Sequence, residues 1–314
     1  MSAFPRRGLC AVAIAALLAS CASNSAEKAA EAEAARVAAE LAARTPPPIA
    51  LNDSVAQAAS VYLTFTRQMA AMEGGFTSAE AVQTALQQGA SYDPAQLSRG
   101  LVAYASILAL QSPEFVAGVR RYAVNRDVRE ELVANIVSDP RWASTLPGAD
   151  AAAGLIMSGL QQDIDALSRA ADSIENDAYT IQNRWDPRRP WAIAHIANRE
   201  SRLQAAKDGS TRAMLPSAEE SARLMSAARS GQGLGISGDR LRAAPYPSVV
   251  ERALALAALA ALGAAGDNAR VNTDVLQNDP VSSECLTSSK LNLYQCLAAS
   301  RPSYEDMFCI GRHV

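Results

Sequence analysis

The sequence predicts an all-α protein, built as a multi-helix bundle or helical array, on three observations. Of the 314 residues, 66 are alanine, whereas 5% are aromatic and 19% are charged, so small helix-favouring side chains dominate. Capping side chains followed by proline or glutamate recur along the chain and mark helix starts. No run of alternating β-branched and polar residues is long enough to form a competing strand.

The first 20 residues have the order of a bacterial secretion signal. Arg6 and Arg7 precede an apolar run at residues 9–18, which is too short to span a bilayer. The segment Leu18-Ala19-Ser20-Cys21 resembles the lipobox of bacterial lipoproteins. That resemblance implies cleavage before Cys21, a diacylglyceryl thioether on its sulfur and a fatty acyl group such as palmitate on the new N-terminus. The alternative is an ordinary secretory signal in which Cys21 is incidental.

The residues after Cys21 bear on location. In the enterobacterial lipoprotein family, aspartate directly after the lipidated cysteine favours retention in the inner membrane, whereas Ala22 and Ser23 follow here. The resemblance therefore implies the periplasmic face of the outer membrane, with the membrane bound through lipidated Cys21. The formal net charge of −3 argues against a nucleic-acid partner.

The anchor is followed by a segment with the composition of a helical stalk. Residues 25–44 are nearly all Ala, Glu, Arg, Lys, Val or Leu, and a helix of this length would extend about 30 Å. Thr45-Pro46-Pro47-Pro48 ends it, because prolines lack amide donors. The alternative is a flexible low-complexity chain.

The sequence is predicted to divide into four segments. We assign residues 1–20 to the signal peptide and residues 21–50 to the lipid anchor, stalk and Pro-rich linker. Residues 51–280 form the helical body, and residues 281–314 form a Cys-containing helical hairpin.

Six local patterns mark helix starts in the body. In three of them a hydroxyl precedes glutamate by three residues, which allows reciprocal capping; in the others proline occupies the first helical position. These patterns are Thr77-Ser78-Ala79-Glu80, Ser217-Ala218-Glu219-Glu220, Ser248-Val249-Val250-Glu251, Asp93-Pro94, Ser112-Pro113 and Asp139-Pro140.

Two helices carry stronger signals. One has apolar residues at heptad spacing, which keeps one face against a partner helix within the domain or, alternatively, in an intermolecular coiled coil. Its residues are Leu160, Ile164, Leu167, Ala171, Ile174, Ala178, Ile181 and Trp185. The other carries Leu254, Leu256, Leu259 and Leu262 among alanines and is predicted to be a central buried helix.

A loop and a corner are the first two places that could carry chemistry. A glycine-rich loop contains Gly231, Gly233, Gly235 and Gly238, but it lacks the strand context of a phosphate site, so we interpret it as a connection. The segment 185–191 carries two tryptophans and two arginines between prolines. We interpret it as a structural corner, with a recognition patch for anionic groups as the alternative. That patch consists of Trp185, Arg188, Arg189 and Trp191.

A short segment after this corner resembles part of an enzyme motif. We expect His195, Arg199 and Glu200 on one helix, and residues 196–203 resemble the start of the catalytic motif of lytic transglycosylases. The resemblance implies Glu200 as the acid of peptidoglycan cleavage. The motif then departs, because Arg212-Ala213-Met214-Leu215 stands near the place of the expected Gly-Leu-Met-Gln.

The C-terminal cysteines predict a disulfide-linked hairpin. Cys296 and Cys309 lie at matching distances on either side of Pro302, as in an antiparallel helical pair. Cys285 has no opposite position, so it is expected to be free or to pair between chains. With His313 these cysteines lack the close pair of a zinc site, so no metal or other cofactor is predicted.

These patterns together favour a lipid-anchored periplasmic helical protein. Its predicted role is structural, scaffolding or protein interaction in the cell envelope, with an envelope protein as partner. The alternatives are a peptidoglycan-acting enzyme centred on Glu200 and a binding module that uses the Trp185–Trp191 corner.

Overall fold

A computed structural model describes residues 27–41, 45–183, 186–236 and 241–314, and within these ranges the chain is built of helices. Two isolated β-bridges are the only extended pairing there, which confirms the all-α prediction. The helices are α1 (27–41), α2 (Asp53–Ala70), α3 (Ala79–Ala90), α4 (Pro94–Ala109), α5 (Pro113–Arg120), α6 (Arg126–Ser138), α7 (Ala149–Asn183), α8 (Pro190–Ile193), α9 (Arg199–Gly209), α10 (Ala218–Ser230), α11 (Ser248–Ala261), α12 (Arg270–Leu276), α13 (Pro280–Ala299) and α14 (Ser303–His313), with short 3-10 helices at Pro140–Thr145 and Asp267–Ala269.

Capping side chains explain where several helices begin. Asp93 accepts a hydrogen bond from the backbone of Gln96 at 2.7 Å, directly before the proline that opens α4. Ser112 opens α5 in the same way, and Ser217 caps α10 through the backbone N–H of Glu220. Each bond satisfies a backbone donor that has no partner within its helix. These three starts lie where the sequence patterns predict them.

The other three predicted starts differ in detail. Ser78 rather than Thr77 caps α3, and Asp139-Pro140 opens a 3-10 helix instead of an α-helix. Ser248 is the first residue of α11, and its hydroxyl donates to the carboxylate of Asp279 at 2.7 Å. At Ser248 a tertiary hydrogen bond therefore replaces the predicted cap.

The first core is a hydrophobic cluster around α11, formed with α2, α4, α5, α10 and the N-terminal half of α7. From residue 253 to residue 262, every side chain of the α11 segment is 0–1% exposed, which confirms the predicted central helix. Leucines spaced among alanines let other helices pack against this segment from all sides.

The second core is a separate cluster formed by α3, α8, α9, α13, α14 and the C-terminal half of α7. The heptad residues Ile174, Ala178 and Ile181 are buried in it, so this part of the seam packs within the chain. Ile164, in the middle of α7, is 53% exposed. The hairpin of α13 and α14 therefore shares its core with helices from the predicted body.

The Pro-rich linker is attached to the first core. Arg120 donates to the carbonyl oxygen of Pro47 at 2.9 Å, and the backbone of Ala50 donates to that of Ala260 at 3.1 Å. The buried side-chain amide of Asn52 donates to the carbonyl oxygen of Ala265 at 3.1 Å, and Asn52 also caps α2. The chain between residue 47 and α2 thus has a defined path over the body.

Candidate functional site

An apolar groove of about 440 Å³ lies where the C-terminal half of α7 meets the end of α13 and the beginning of α14. All three helices belong to the second core. The groove is lined by Ala178, Tyr179, Gln182, Cys296, Ala299, Ser300, Tyr304, Glu305, Phe308 and Cys309. Concave apolar surfaces with a few polar groups are the usual form of a binding site.

A disulfide forms one wall of this groove. Cys296 and Cys309 are bonded, with their Cα atoms 5.7 Å apart, because the turn at Pro302 brings α14 back beside α13. The predicted hairpin and its disulfide are thereby confirmed. Cys285 is exposed, and its thiol is free in the structure.

Aromatic side chains from two helices contribute to the apolar lining. Tyr179 of α7 and Phe308 of α14 pack edge to face, with ring centroids 5.7 Å apart. Tyr179 is still 43% exposed, so part of its ring remains open to solvent. Tyr304 adds a third ring from the first turn of α14. The groove can therefore offer aromatic faces to a bound group.

Glu305 gives the groove a negative charge. Its carboxylate accepts a hydrogen bond from the backbone N–H of Arg301 at 2.7 Å. Within the described ranges, no Lys, Arg or His side chain forms an ion pair with it. Ser300 also lines the groove, but its hydroxyl donates to the buried carboxylate of Asp306 at 2.6 Å. Glu305 is thus the acidic group that remains available to a ligand.

A buried ion pair behind the groove holds α9 against the hairpin. Arg202 of α9 and Asp306 of α14 are in direct contact, and the Asp306 carboxylate also accepts from Gln83 at 3.0 Å. Arg202 donates a further hydrogen bond to the carbonyl of Leu297 at 2.6 Å. Both charged side chains are at most 5% exposed. These bonds offset part of the lost hydration, while the Nε of Arg202 is buried with no hydrogen-bond partner among the described residues.

The residues of the transglycosylase resemblance do not form a joint site. The prediction that His195, Arg199 and Glu200 share a helix is wrong, because α8 ends before His195, which instead pairs with Pro302 in a β-bridge. Arg199 donates to the carbonyl of Ser300 at 2.7 Å and thereby binds the C-terminal end of α13. Glu200 is exposed in the first turn of α9, outside the groove.

The Trp185–Trp191 corner is divided by the structure. Trp185 lies outside the described residues. Arg188 faces solvent and pairs with Asp186, whereas Arg189 is only 18% exposed and donates to Asp177 at 2.7 Å. Trp191 packs against the second core, and its indole nitrogen is buried with no hydrogen-bond partner among the described residues. Arg189 and Trp191 are therefore occupied in packing rather than displayed on one surface.

Burial shifts the pKa values of Asp163 and Lys290. Burial raises the pKa of Asp163, although the hydrogen bond from Tyr62 at 3.2 Å opposes the rise. Burial lowers the pKa of Lys290 to about 8, while the nearby carboxylate of Asp93 opposes the shift. Lys290 donates to the carbonyl oxygen of Tyr92 and lies 4.1 Å from the centre of its ring. Neither group lines the groove.

The structure describes most of the glycine-rich loop. Gly231, Gly233 and Gly235 have positive φ angles, while Gly238, like Cys21, lies outside the described residues. Across the described ranges, no three His, Cys, Asp or Glu side chains are grouped so that they could hold a metal ion. In those ranges no single helix is long and apolar enough to cross a membrane, and α4 and α5 reach that threshold only as a pair bent by 85°.

The chain was also compared with known proteins. No family model, no curated protein and no solved structure matches it.

Proposed function

We propose that this protein is a lipid-anchored scaffold of the bacterial cell envelope, with its helical body held at the periplasmic face of the outer membrane through Cys21. The proposal is carried by the attachment of the linker to the body. Pro47 accepts the hydrogen bond from Arg120, and a Cβ atom on Gly263 would lie only 2.7 Å from the Cβ of Pro47. In the proposal, this close contact marks the point at which the tether leaves the body.

The helix before the linker supports the same role. Every residue of α1 is exposed, and its 27–41 range would span about 22 Å. A helix without a buried face contributes length rather than packing. In the proposal, α1 is the spacer between the lipid on Cys21 and the body.

The anchor is tested with two matched cysteine variants. Cys21→Ser should release the protein from membranes, because a single lipidated residue supplies the anchoring acyl chains. Cys10→Ser is the control, since Cys10 lies in the apolar run that is removed with the signal. Sucrose-gradient separation of inner and outer membranes gives the measurement. Membrane association that survives both Cys21→Ser and removal of the signal peptide would overturn the anchor assignment.

The scaffold role needs a separate test. The native lipidated protein should be cross-linked in cells and purified, together with the Cys21→Ser variant, and the muropeptides of a strain lacking the protein should be analysed. A scaffold predicts protein partners that depend on the anchor and an unchanged capacity to cleave peptidoglycan. Loss of a specific muropeptide cleavage, reproduced by Glu200→Gln, would instead favour the enzyme.

A further inference from the structure

We propose that the groove beside the Cys296–Cys309 disulfide binds an extended segment of a partner protein through one arginine or lysine side chain flanked by apolar residues. This inference rests on the proposed scaffold function and specifies the chemistry of the partner. It combines three observations: the aromatic lining, the carboxylate of Glu305 and the open form of the groove.

The aromatic lining suits a cation that has an apolar body. Tyr179 and Phe308 present ring surface to the groove, and a guanidinium or ammonium group is attracted to the face of an aromatic ring. The methylene groups of arginine and lysine can also cover apolar surface while the charge stays near water. Neutral apolar ligands would gain only the second of these interactions.

The charge of Glu305 selects the same partner. Its one hydrogen bond in the structure comes from a backbone N–H, so its charge is not neutralised by a side chain in the described ranges. The Glu305 carboxylate itself disfavours an acidic ligand, and the guanidinium of Arg199 beside Ser300 is already bonded to backbone carbonyl oxygens. A neutral ligand would leave the charge of Glu305 without a partner. A basic side chain placed between Glu305 and the aromatic rings would pair with the carboxylate and pack against the rings.

The open form of the groove favours a side chain over a free cation. Tyr179 is 43% exposed, and Gln182 and Ala299 on the rim are exposed as well. Small-molecule sites usually bury most of their ligand, which this groove cannot do. A peptide adds contacts from its backbone and flanking residues along the groove, and these compensate for the incomplete enclosure.

The test measures binding of defined peptides to the full mature, lipidated chain in detergent. The probe is a fluorescent heptapeptide of alanine and leucine with a central arginine, and the control peptide carries neutral citrulline in its place. We expect the arginine peptide to bind about fivefold more tightly, because exposed cation–π contacts and ion pairs are individually weak. Fluorescence anisotropy gives both dissociation constants.

Three variants link this difference to the groove. Glu305→Gln can still accept the Arg301 hydrogen bond but lacks the charge, so it should reduce the preference for arginine. Tyr179→Leu should reduce the preference, whereas Tyr179→Phe should retain it. Glu284→Gln on the exposed face of α13 is the control for a general effect of negative charge. Circular dichroism and thermal unfolding verify that each variant is folded.

Several outcomes would overturn the inference. Equal binding of both peptides, no binding of either, or an undiminished preference in Glu305→Gln would each exclude the proposed site. Competition by free arginine amide at the same concentration as the peptide would exclude a protein segment as the specific occupant. Glu305→Gln should leave membrane fractionation unchanged, so failure here is distinguishable from failure of the anchored scaffold.

Discussion

Replacing Asp306 with asparagine should destabilise the protein by about 3 to 5 kcal/mol, because it leaves the guanidinium of Arg202 buried without a countercharge. Asp306 is 0% exposed, and its carboxylate accepts from Arg202, from Ser300 at 2.6 Å and from Gln83 at 3.0 Å. Asparagine preserves the volume and one acceptor oxygen. The substitution removes the negative charge that pairs with Arg202. The neutral carbonyl group of Leu297, which also accepts from Arg202, cannot replace that charge.

Urea unfolding followed by circular dichroism at 222 nm measures this loss. The control is Glu130→Gln, which breaks the ion pair with Arg126, where both side chains are more than half exposed. That surface pair should contribute far less, because both charges keep most of their hydration. The two variants remove the same kind of charge, so the difference between them isolates the effect of burial.

A double variant provides the refutation. Arg202→Met combined with Asp306→Leu removes both buried charges, so it should be clearly more stable than Asp306→Asn alone. The reasoning fails if Asp306→Asn costs less than about 1 kcal/mol, or if the double variant loses the sum of the two single losses.

Two further predictions concern packing and pH. Gly118→Ala should destabilise by about 1 to 3 kcal/mol, because the new Cβ would overlap the carbonyl oxygen of Pro147. Gly209→Ala meets no described atom within 4 Å, so it should be neutral or stabilising in the same unfolding assay. Equal effects of the two alanines would contradict this. For Lys290, the pKa of about 8 in the fold lies below the unfolded value of about 10.4, so between these pH values the folded state loses its proton first. The free energy of unfolding should therefore rise from pH 8 to pH 10 relative to Lys290→Met, and parallel pH profiles for the two proteins would refute it.

The sequence predicts those parts of the fold that depend on local pattern. The helix opened by Asp93-Pro94 and the buried segment 254–262 follow from capping chemistry and from apolar side chains around the helix. The hairpin and its disulfide follow from the distances of Cys296 and Cys309 to the turn. Each of these inferences uses residues close together in the chain.

The groove could not be predicted because it depends on contacts between distant segments. Tyr179 and Phe308 belong to different helices, and neither lies in a recognisable motif. The buried pair of Arg202 and Asp306 joins residues that are 104 positions apart. His195 shows the same limit, since its pairing with Pro302 interrupts a segment whose local pattern favours a continuous helix. Long-range pairing decides these features, and a single sequence carries no direct record of it.

The arrangement of the two cores bears on how an anchored scaffold could work. The linker is bonded to the first core through Pro47, and the groove beside Cys296 belongs to the second core. The two cores share α7, whose 35 residues correspond to a length of about 52 Å. The chain at Pro47 is thus bonded to one core and the groove belongs to the other, with α7 common to both. In the proposed scaffold, a partner in the groove would therefore not compete with the tether, and Glu305 could be varied without altering the anchor.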